Sequence, residues 1–389
     1  MKIPRINGLF YITHIENVKS ILSNGIFSHE SIVDRKIPYK PIYDEQIVTN
    51  RKSILAPNGT NLWGFANLYF QPRNPMLYRV LHEKQPSEVA IIAIKPIILE
   101  RPDIYFSNGN AAHSASDIFH AVELKKKIRR IALDTVEVEW WNDMNGSKRK
   151  IMAECLVPEM VNPDLIQAIY VGNRRAKEQI EEDNPGLGLT IIIEPHMFFL
   201  PSRGFALTEH LRVAEGDMFF SRMQTLTVSV NTVGIMGAGL ASRAKYQFPD
   251  VYVYYQDLCR SRKLRMGKPE IYKREASLEQ ELADEPSSLP NADLEKWFLL
   301  FPTKRHWRNN ADIKGIDEGL HWLVSSYKKE GVKSLAIPAL GCGLGKLKWR
   351  DIGPLMCKYL RTLDVDVSIY LPTEHKVPDD ELTKDFLLA

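Results

Sequence analysis

Three stretches of this chain combine residue types that can hold an anion. Residues 228–241 read VSVNTVGIMGAGLA: an apolar, β-branched run breaks into Gly234, Gly237 and Gly239, and a helix is expected from about Leu240. A strand that passes through glycines into a helix start presents bare backbone amides to an anion, and the helix N terminus favours negative charge. The pattern returns in residues 337–345, IPALGCGLG, and between the two lies a basic segment, Phe301-Pro302-Thr303-Lys304-Arg305-His306-Trp307-Arg308. One glycine turn often serves only as a tight connection. Two such loops around one basic segment suit a ligand with two phosphates.

The first half of the chain carries a second set of candidates. Thr13-His14-Ile15 closes a short apolar strand, Arg51 ends a long loop, an aromatic and proline-rich stretch runs from Tyr69 to Tyr78, and Glu154 follows Lys148-Arg149-Lys150 at the edge of an apolar segment. Each has a plain structural reading. A strand-end histidine is commonly a satisfied structural group, a loop arginine is commonly solvated, Tyr69 and Phe70 suit a core, and Glu154 suits an ion pair with Arg149 or Lys150. The basic run from Lys125 to Arg130 reads first as a solvated helix face.

Periodicity indicates which elements position these groups. Residues 16–23 form a helix, with Ile15, Val18, Ile21 and Leu22 at helical spacing and Asn24-Gly25 closing it. Residues 28–51 lack a period and contain Pro38 and Pro41, so they form a long loop of the kind that is commonly functional. A strand ends at Pro72, and Pro75 opens a helix. Residues 89–94, 165–171 and 189–193 read as strands, 103–113 as loop and 114–122 as helix. Low periodicity in 198–209 places a boundary near Ala206, giving domains 1–206 and 207–389. Residues 275–295 are acidic, contain Pro286-Ser287-Ser288, and read as an inserted surface loop without chemistry.

The composition fits such an organisation. A chain of 389 residues, 44% hydrophobic and 25% charged, is ordinary for two globular domains. Its net charge of +3 provides no global field for nucleic acid, so any such case rests on local patches. Cys155, Cys259, Cys342 and Cys357 form no C-x-x-C pair, which argues against a disulfide framework or a zinc knuckle and suits a reducing cytoplasm. No metal site is expected. No apolar stretch of roughly 18 residues offers a membrane span, and no leader peptide is evident.

The glycine loops and the basic segment, in this order, resemble a macrodomain, an ADP-ribose-binding α/β module, of the DarG antitoxin branch. The resemblance covers residues 216–372. It implies that Asp217, Met218, Asn231, Val233, Met236, Gly237, Ala238, Gly239 and Leu240 line the ADP-ribose site. Thr303 and the loop Gly341, Cys342, Gly343, Leu344 and Gly345 complete it, and Lys304 attacks the linkage or activates the sugar during removal. Two positions depart from the pattern: Ala238, where a lysine or similar polar residue is common, and Lys346, where a second glycine is usual.

The first 200 residues resemble the DarT family of DNA ADP-ribosyltransferases. The matching segments are Tyr11-Ile12-Thr13-His14-Ile15-Glu16-Asn17-Val18 with Ile21, Leu22 and Gly25, then residues 69–78, then Ala153-Glu154-Cys155-Leu156-Val157. The resemblance implies NAD as donor substrate, bound by Thr13, His14, Ile15, Leu22, Arg51, Tyr69 and Tyr78. Glu154 would stabilise the oxocarbenium-like ribose as nicotinamide leaves, much as carboxylates act in glycoside chemistry. Arg51 would contact phosphate and, in the family's mechanism, help remove a proton from the attacking base, although an arginine is a poor base. Single-stranded DNA would lie on Lys125, Arg129, Arg130, Lys148 and Arg149, with Trp140 and Trp141 as stacking platforms. The wording of residues 66–75 is closer to the guanine-modifying than the thymine-modifying branch.

Together the resemblances imply a two-domain chain of α/β and α+β class. An ADP-ribosyltransferase fold with a split β-sheet and an NAD cleft precedes a three-layer α/β/α macrodomain on a mixed sheet, and the two domains are candidates to pack on each other. The implied function is a fused toxin and antitoxin that adds ADP-ribose to a base in single-stranded DNA and removes it. Two rivals are a transferase acting on protein or RNA, and a silent transferase fold attached to an ADP-ribose reader; Glu154 and Lys304 in one chain argue against the second.

Overall fold

The computed structural model describes residues 5–42, 49–284, 289, 292–293 and 295–389. Part of the 28–51 loop, and Pro286-Ser287-Ser288 in the acidic insertion, lie outside the described residues. The chain forms two compact units, Met1–Phe198 with Glu279–Ala292, and Phe199–Leu278 with Asp293–Ala389.

The first unit is built on an eight-stranded sheet. Its strands are β1 (Leu9–His14), β3 (Phe65–Tyr69), β4 (Val89–Ile94), β5 (Tyr105–Ser107), β6 (Ile118–His120), β7 (Glu154–Pro158), β9 (Ile166–Val171) and β10 (Ile191–Ile193), in the order β10-β9-β4-β1-β3-β7-β5-β6. A separate ribbon pairs β2 (Ile26–Phe27) with β8 (Met160–Val161). Strand β4, VAIIAI, is buried at every position, as befits a central strand covered on both faces. β1 pairs with it along its full length but meets β3 through one residue pair, Phe10 with Tyr69. The sheet is therefore split, and the open edge of β1 carries Thr13 and His14.

Residues 118–120 are a strand rather than helix, because Ile118–His120 completes a hairpin with Tyr105–Ser107. The long loop contains a helix, His29–Asp34, capped by Ser28. The acidic insertion is no surface loop: Leu278, Leu282 and Ala283 are buried, and the indole of Trp141 donates to the Leu282 carbonyl at 2.9 Å.

The second unit holds a seven-stranded mixed sheet. Strands β11 (Arg203–Ala206), β12 (Leu211–Glu215), β13 (Thr225–Asn231), β14 (Glu270–Lys273), β15 (Trp297–Lys304), β16 (Ser334–Pro338) and β17 (Asp366–Tyr370) run in the order β11-β12-β17-β16-β13-β15-β14. β11–β12 and β14–β15 are antiparallel pairs and the remainder are parallel. Since β11 belongs to this sheet, the boundary falls after Phe198 rather than at Ala206.

Helices cover both faces of this sheet. Leu299 and Phe301 of β15 join the core under helices Ile313–Glu330 and Trp349–Leu360, while Phe298 points the other way, against Phe248 beside helix Pro249–Arg260. β13 lies between β16 and β15, all three parallel, so their C-terminal ends share one edge of the sheet. Such an edge is where open α/β sheets bind ligands.

Candidate active sites

In the first unit, β7 opens on Glu154, which pairs in register with Tyr69 and is completely buried. A carboxylate in such a place must be held by donors. Arg51 forks onto it, Nη2 to Oε2 at 2.7 Å and Nη1 to Oε1 at 3.3 Å, and Oε1 also accepts the Ala111 amide at 2.9 Å. The Glu154 amide donates to Ser107 Oγ at 3.0 Å. The loop carrying Ala111 is fixed by Arg149, whose Nη1 reaches Ser116 Oγ at 2.9 Å and Asn108 Oδ1 at 3.2 Å. The plain ion pair expected for Glu154 exists, but its partner is Arg51, 103 residues away, and not Arg149 or Lys150.

At the open end of β1, Asn17 ties three pieces together. Its Nδ2 donates to Thr13 Oγ1 at 3.1 Å and to the Lys40 carbonyl at 2.8 Å, and its Oδ1 accepts the Lys40 amide at 2.7 Å. Asn17 thereby pins the long loop to the strand end. His14 is buried, and its Nδ1 accepts the Glu16 amide at 3.2 Å. Burial, followed by the Lys40 charge, holds the imidazole below its ordinary pKa. The neutral ring, accepting at Nδ1, carries its proton on Nε2. Among the described residues that donor has no hydrogen-bond partner, and Glu88 Oε1 approaches it at 3.8 Å.

Other predicted residues of this half are placed differently. Ile15 is a core side chain, packed with Val18, Ala90 and Ile169, and Leu22 packs against the same cluster. Tyr78 is buried with its ring against His82 and Trp141. The DNA platform loses members: Trp141 is fully buried and has no free face for a base, and Lys148 is buried and paired with Asp143 at 3.2 Å. Arg149 is committed to the loop described above. Lys125, Arg129 and Arg130 are exposed on helix Leu124–Thr135, and Trp140 is half-buried. Replacing Trp141 with alanine is therefore expected to cost about 3–5 kcal/mol of stability. Thermal denaturation checks this; a platform residue would instead lower DNA affinity at unchanged melting temperature.

In the second unit the three motifs meet. The Asn231 side chain shapes the first glycine loop, accepting the Val233 amide at 3.0 Å and the Tyr255 hydroxyl at 2.9 Å and donating to the Ile235 carbonyl at 2.6 Å. The bulge between Val230 and Asn231 sets Asn231 opposite Lys304. Lys304 Nζ donates to the Leu344 carbonyl of the second loop at 3.1 Å. A Cβ on Gly239 would lie 3.3 Å from Leu344 Cδ1, so the two loops touch. Val233, Ile235, Trp307 and Leu344 leave exposed apolar surface on these loops.

Remaining predicted residues fall around this centre. Thr303 is buried on β15; Gly237, Ala238 and Gly239 are exposed and Leu240 is half-buried; Met218 and Met236 are core side chains. Asp217 accepts the Phe219 amide at 3.2 Å and pairs with Arg243 at 2.8 Å. Gly341 needs its glycine, with φ of +75° and a Cβ that would meet Ala311 and Leu347 at 2.8 Å. Cys342 is buried, and burial, with Asp351 and Glu374 adding, pushes its thiol up to about 12, which removes it as a nucleophile.

Lys346 also has positive φ, +62°, where the family pattern has glycine. Burial first, and then the Lys346 charge, lowers the pKa of Lys304. Lys346→Gly removes that charge, so the Lys304 amine is expected to lose its proton at higher pH. If the neutral amine acts, the rising limb of the removal rate against pH shifts to higher pH. Relief of left-handed strain, about 1–2 kcal/mol, is about half offset by the roughly 0.5–1 kcal/mol entropic cost of glycine. The melting temperature is therefore expected to move little, and the pH profile is the measurement that checks the variant.

Sequence reasoning missed Ser107 and Ala111, which act through a hydroxyl and a backbone amide and so carry no residue-type signal. Asn17 lies in the N-terminal segment that carries the resemblance, where its residue type alone implies no role. Among the described residues, no group of three His, Cys, Asp or Glu side chains is placed to hold a metal ion, and no helix is long and apolar enough to cross a membrane.

Comparison with known proteins agrees with this geometry. Residues 10–199 match the family model described as ssDNA thymidine ADP-ribosyltransferase, DarT, and residues 288–356 match the macro domain model. The chain is 54% identical over 386 residues, 99% of both chains, to the DNA ADP-ribosyl transferase–DNA ADP-ribosyl glycohydrolase fusion protein of Thermosipho africanus. It is 32% identical over 166 residues to the DNA ADP-ribosyl glycohydrolase of Thermus aquaticus, covering 42% of each. The solved structure of Thermosipho africanus DarTG in complex with ADP-ribose superposes with a TM-score of 0.94 at 53% identity, covering 98% of this chain and 100% of that one. A transferase fold of the DarT kind is thus joined to a macrodomain of the DarG kind. The chain belongs to the family of DarT–DarG fusion proteins.

Proposed function

We infer that the first unit transfers ADP-ribose from NAD to a base in single-stranded DNA and that the second unit removes it. The chain is then a toxin and its antidote in one polypeptide. The observation that carries the reading is the Glu154 carboxylate, fully buried and clamped by Arg51 and the Ala111 amide beside the split in the sheet. A carboxylate fixed by donors can stabilise a ribosyl cation without reorganising.

In the transfer, the bond between nicotinamide and the ribose breaks and nicotinamide leaves with its electron pair. A nitrogen of the DNA base then bonds to the ribose carbon and releases its proton to water. Thr13 and the free Nε2 donor of His14 hold the NAD ribose and nicotinamide, and the loop pinned by Asn17 covers the dinucleotide. Arg51 positions Glu154; forked on a carboxylate and retaining its protons, it is poorly suited to take one from the base. The exposed cations Lys125, Arg129 and Arg130 attract the strand.

In the reverse reaction the touching glycine loops hold the diphosphate through backbone amides, and Lys304 acts on the sugar linkage. Free Cys155, Cys259, Cys342 and Cys357 suit a reducing cytoplasm.

The test is incubation of the Lys304→Ala variant, so that the product is not stripped, with NAD and single-stranded oligonucleotides that each contain one target base, read by intact mass. One added ADP-ribose on one oligonucleotide type supports the reading and identifies the base, guanine by the wording of residues 66–75 or thymine by the matched family model. Modification of protein or RNA alone overturns it.

A further inference from the structure

The mechanism leaves one feature of the second unit unused. Behind the second glycine loop lies a cavity of 450 Å³, bounded by Cys342 and Gly343, by the start of helix Trp349–Leu360, and by the segment from His375 to Glu381. Lys346, Lys348, Arg350 and His375 line it. Lys346 and Lys348 are exposed, and neither has an ion-pair partner among the described residues. Arg350 approaches Glu381 at 3.6 Å, a loose contact on a largely exposed side chain. The helix spans 12 residues, and Lys348 at its cap supplies no side-chain acceptor, while Asp351 in the first turn offsets the positive end of the helix.

Three carboxylates oppose these cations, and one of them, the exposed Asp351, stands in the first turn of the helix. Glu381 is half-buried at the wall, and the Glu374 carboxylate approaches Gly343, 2.6 Å from where a Cβ would stand. Trp349 is buried and donates to the Glu381 carbonyl at 3.0 Å, so it fixes the wall and offers no face to a base. The lining itself holds three cations, Lys346, Lys348 and Arg350, against one carboxylate, Glu381, and no aromatic stacking surface, which suits phosphate rather than a nucleobase. It is joined to the reactive centre through Lys346, which shares a loop with the Leu344 carbonyl that holds Lys304.

We propose that this cavity binds a phosphodiester of the DNA strand flanking the modified nucleotide, and so positions the strand for release of ADP-ribose at Lys304. The proposal rests on the glycohydrolase reading given above. It also explains what a lysine contributes at position 346 at the expense of a left-handed backbone. The same cations could otherwise serve the diphosphate of ADP-ribose itself, and the experiment separates these sources.

The experiment compares the parent chain with the double variant Lys348→Ala/Arg350→Ala, in the absence of NAD so that no new modification forms. One substrate is an ADP-ribosylated single-stranded oligonucleotide. The other is the ADP-ribosylated nucleoside obtained from it by nuclease and phosphatase treatment, which keeps the diphosphate and lacks every phosphodiester. With the oligonucleotide, kcat/KM is expected to fall about tenfold at low salt, and the slope of log kcat/KM against log salt to become shallower by about 0.7, the loss of one neutralised phosphate on a single strand. With the nucleoside, kcat/KM is expected to be unchanged. Equal losses on both substrates would show that the cations serve ADP-ribose or the fold, and no loss on either would show that they serve nothing; both overturn the proposal. A parent chain that releases ADP-ribose from neither substrate overturns the glycohydrolase reading beneath it.

Discussion

Glu154→Gln is expected to lower the rate of ADP-ribose transfer to DNA by about 10³-fold, the scale on which preorganised electrostatic groups act in enzymes. Glutamine keeps the shape of the side chain and can still accept the Ala111 amide, but it brings no negative charge to the developing ribosyl cation. Glutamine is preferable to alanine for a physical reason. Glu154 is fully buried between Arg51 and Ala111, so truncation removes the carboxylate on which the Arg51 guanidinium forks and which the Ala111 amide donates to. Breaking a buried pair from one side costs about 3–5 kcal/mol, reduced here because Arg51 retains some exposure to water. Glu154→Ala is therefore expected to lower the melting temperature as well as abolish transfer. The measurement is single-turnover transfer from NAD to an oligonucleotide, with thermal denaturation of both variants. Transfer by Glu154→Gln at near the parent rate would remove Glu154 from the mechanism.

Lys304→Ala is expected to slow removal of ADP-ribose from a pre-modified oligonucleotide by about 10³-fold, within the range for loss of a group that handles the reacting bond. Its Nζ is held against the Leu344 carbonyl, and burial and Lys346 make the neutral amine more accessible than in a free lysine. The side chain is only part-buried at a loop edge, so the fold is expected to survive its loss. Because addition and removal reside in one chain, the single variant is expected to accumulate ADP-ribose on the DNA of an expressing cell and to arrest growth. Adding Glu154→Gln should restore growth. Unchanged removal by the purified single variant would dismiss Lys304 as a solvated strand-end cation. Arrest that persists in the double variant would place the harm outside Glu154 chemistry.

The readings that held differ from those that failed by the range of the interactions involved. Strand β4, the helix after Gly239 and the paired glycine loops were legible because burial on both faces and phosphate-cradling backbone leave local marks on residue type. Trp141 was misread as a DNA platform because aromatic residues among cations look alike whether solvated or covered. What covers it is Leu282, 141 residues later, within an acidic stretch whose composition suggests a surface loop. Residues 118–120 were misread for a similar reason: their strand exists only because Tyr105–Ser107 lies beside it.

By itself the sequence determined the chemistry available: one carboxylate after an aromatic and proline-rich segment, one lysine between two glycine loops, and the order of motifs that marks both halves. Tertiary structure decided which groups meet. Arg51 and the Ala111 amide meet on Glu154, which β7 sets beside Tyr69 of β3, while Arg149 fixes the Ala111 loop. Asn231, Lys304 and Leu344 converge because parallel strands β16, β13 and β15 end on one edge of a sheet. Parallel pairing brings together segments far apart in the chain through crossover connections, and such juxtapositions leave no periodic trace in the residues that make them.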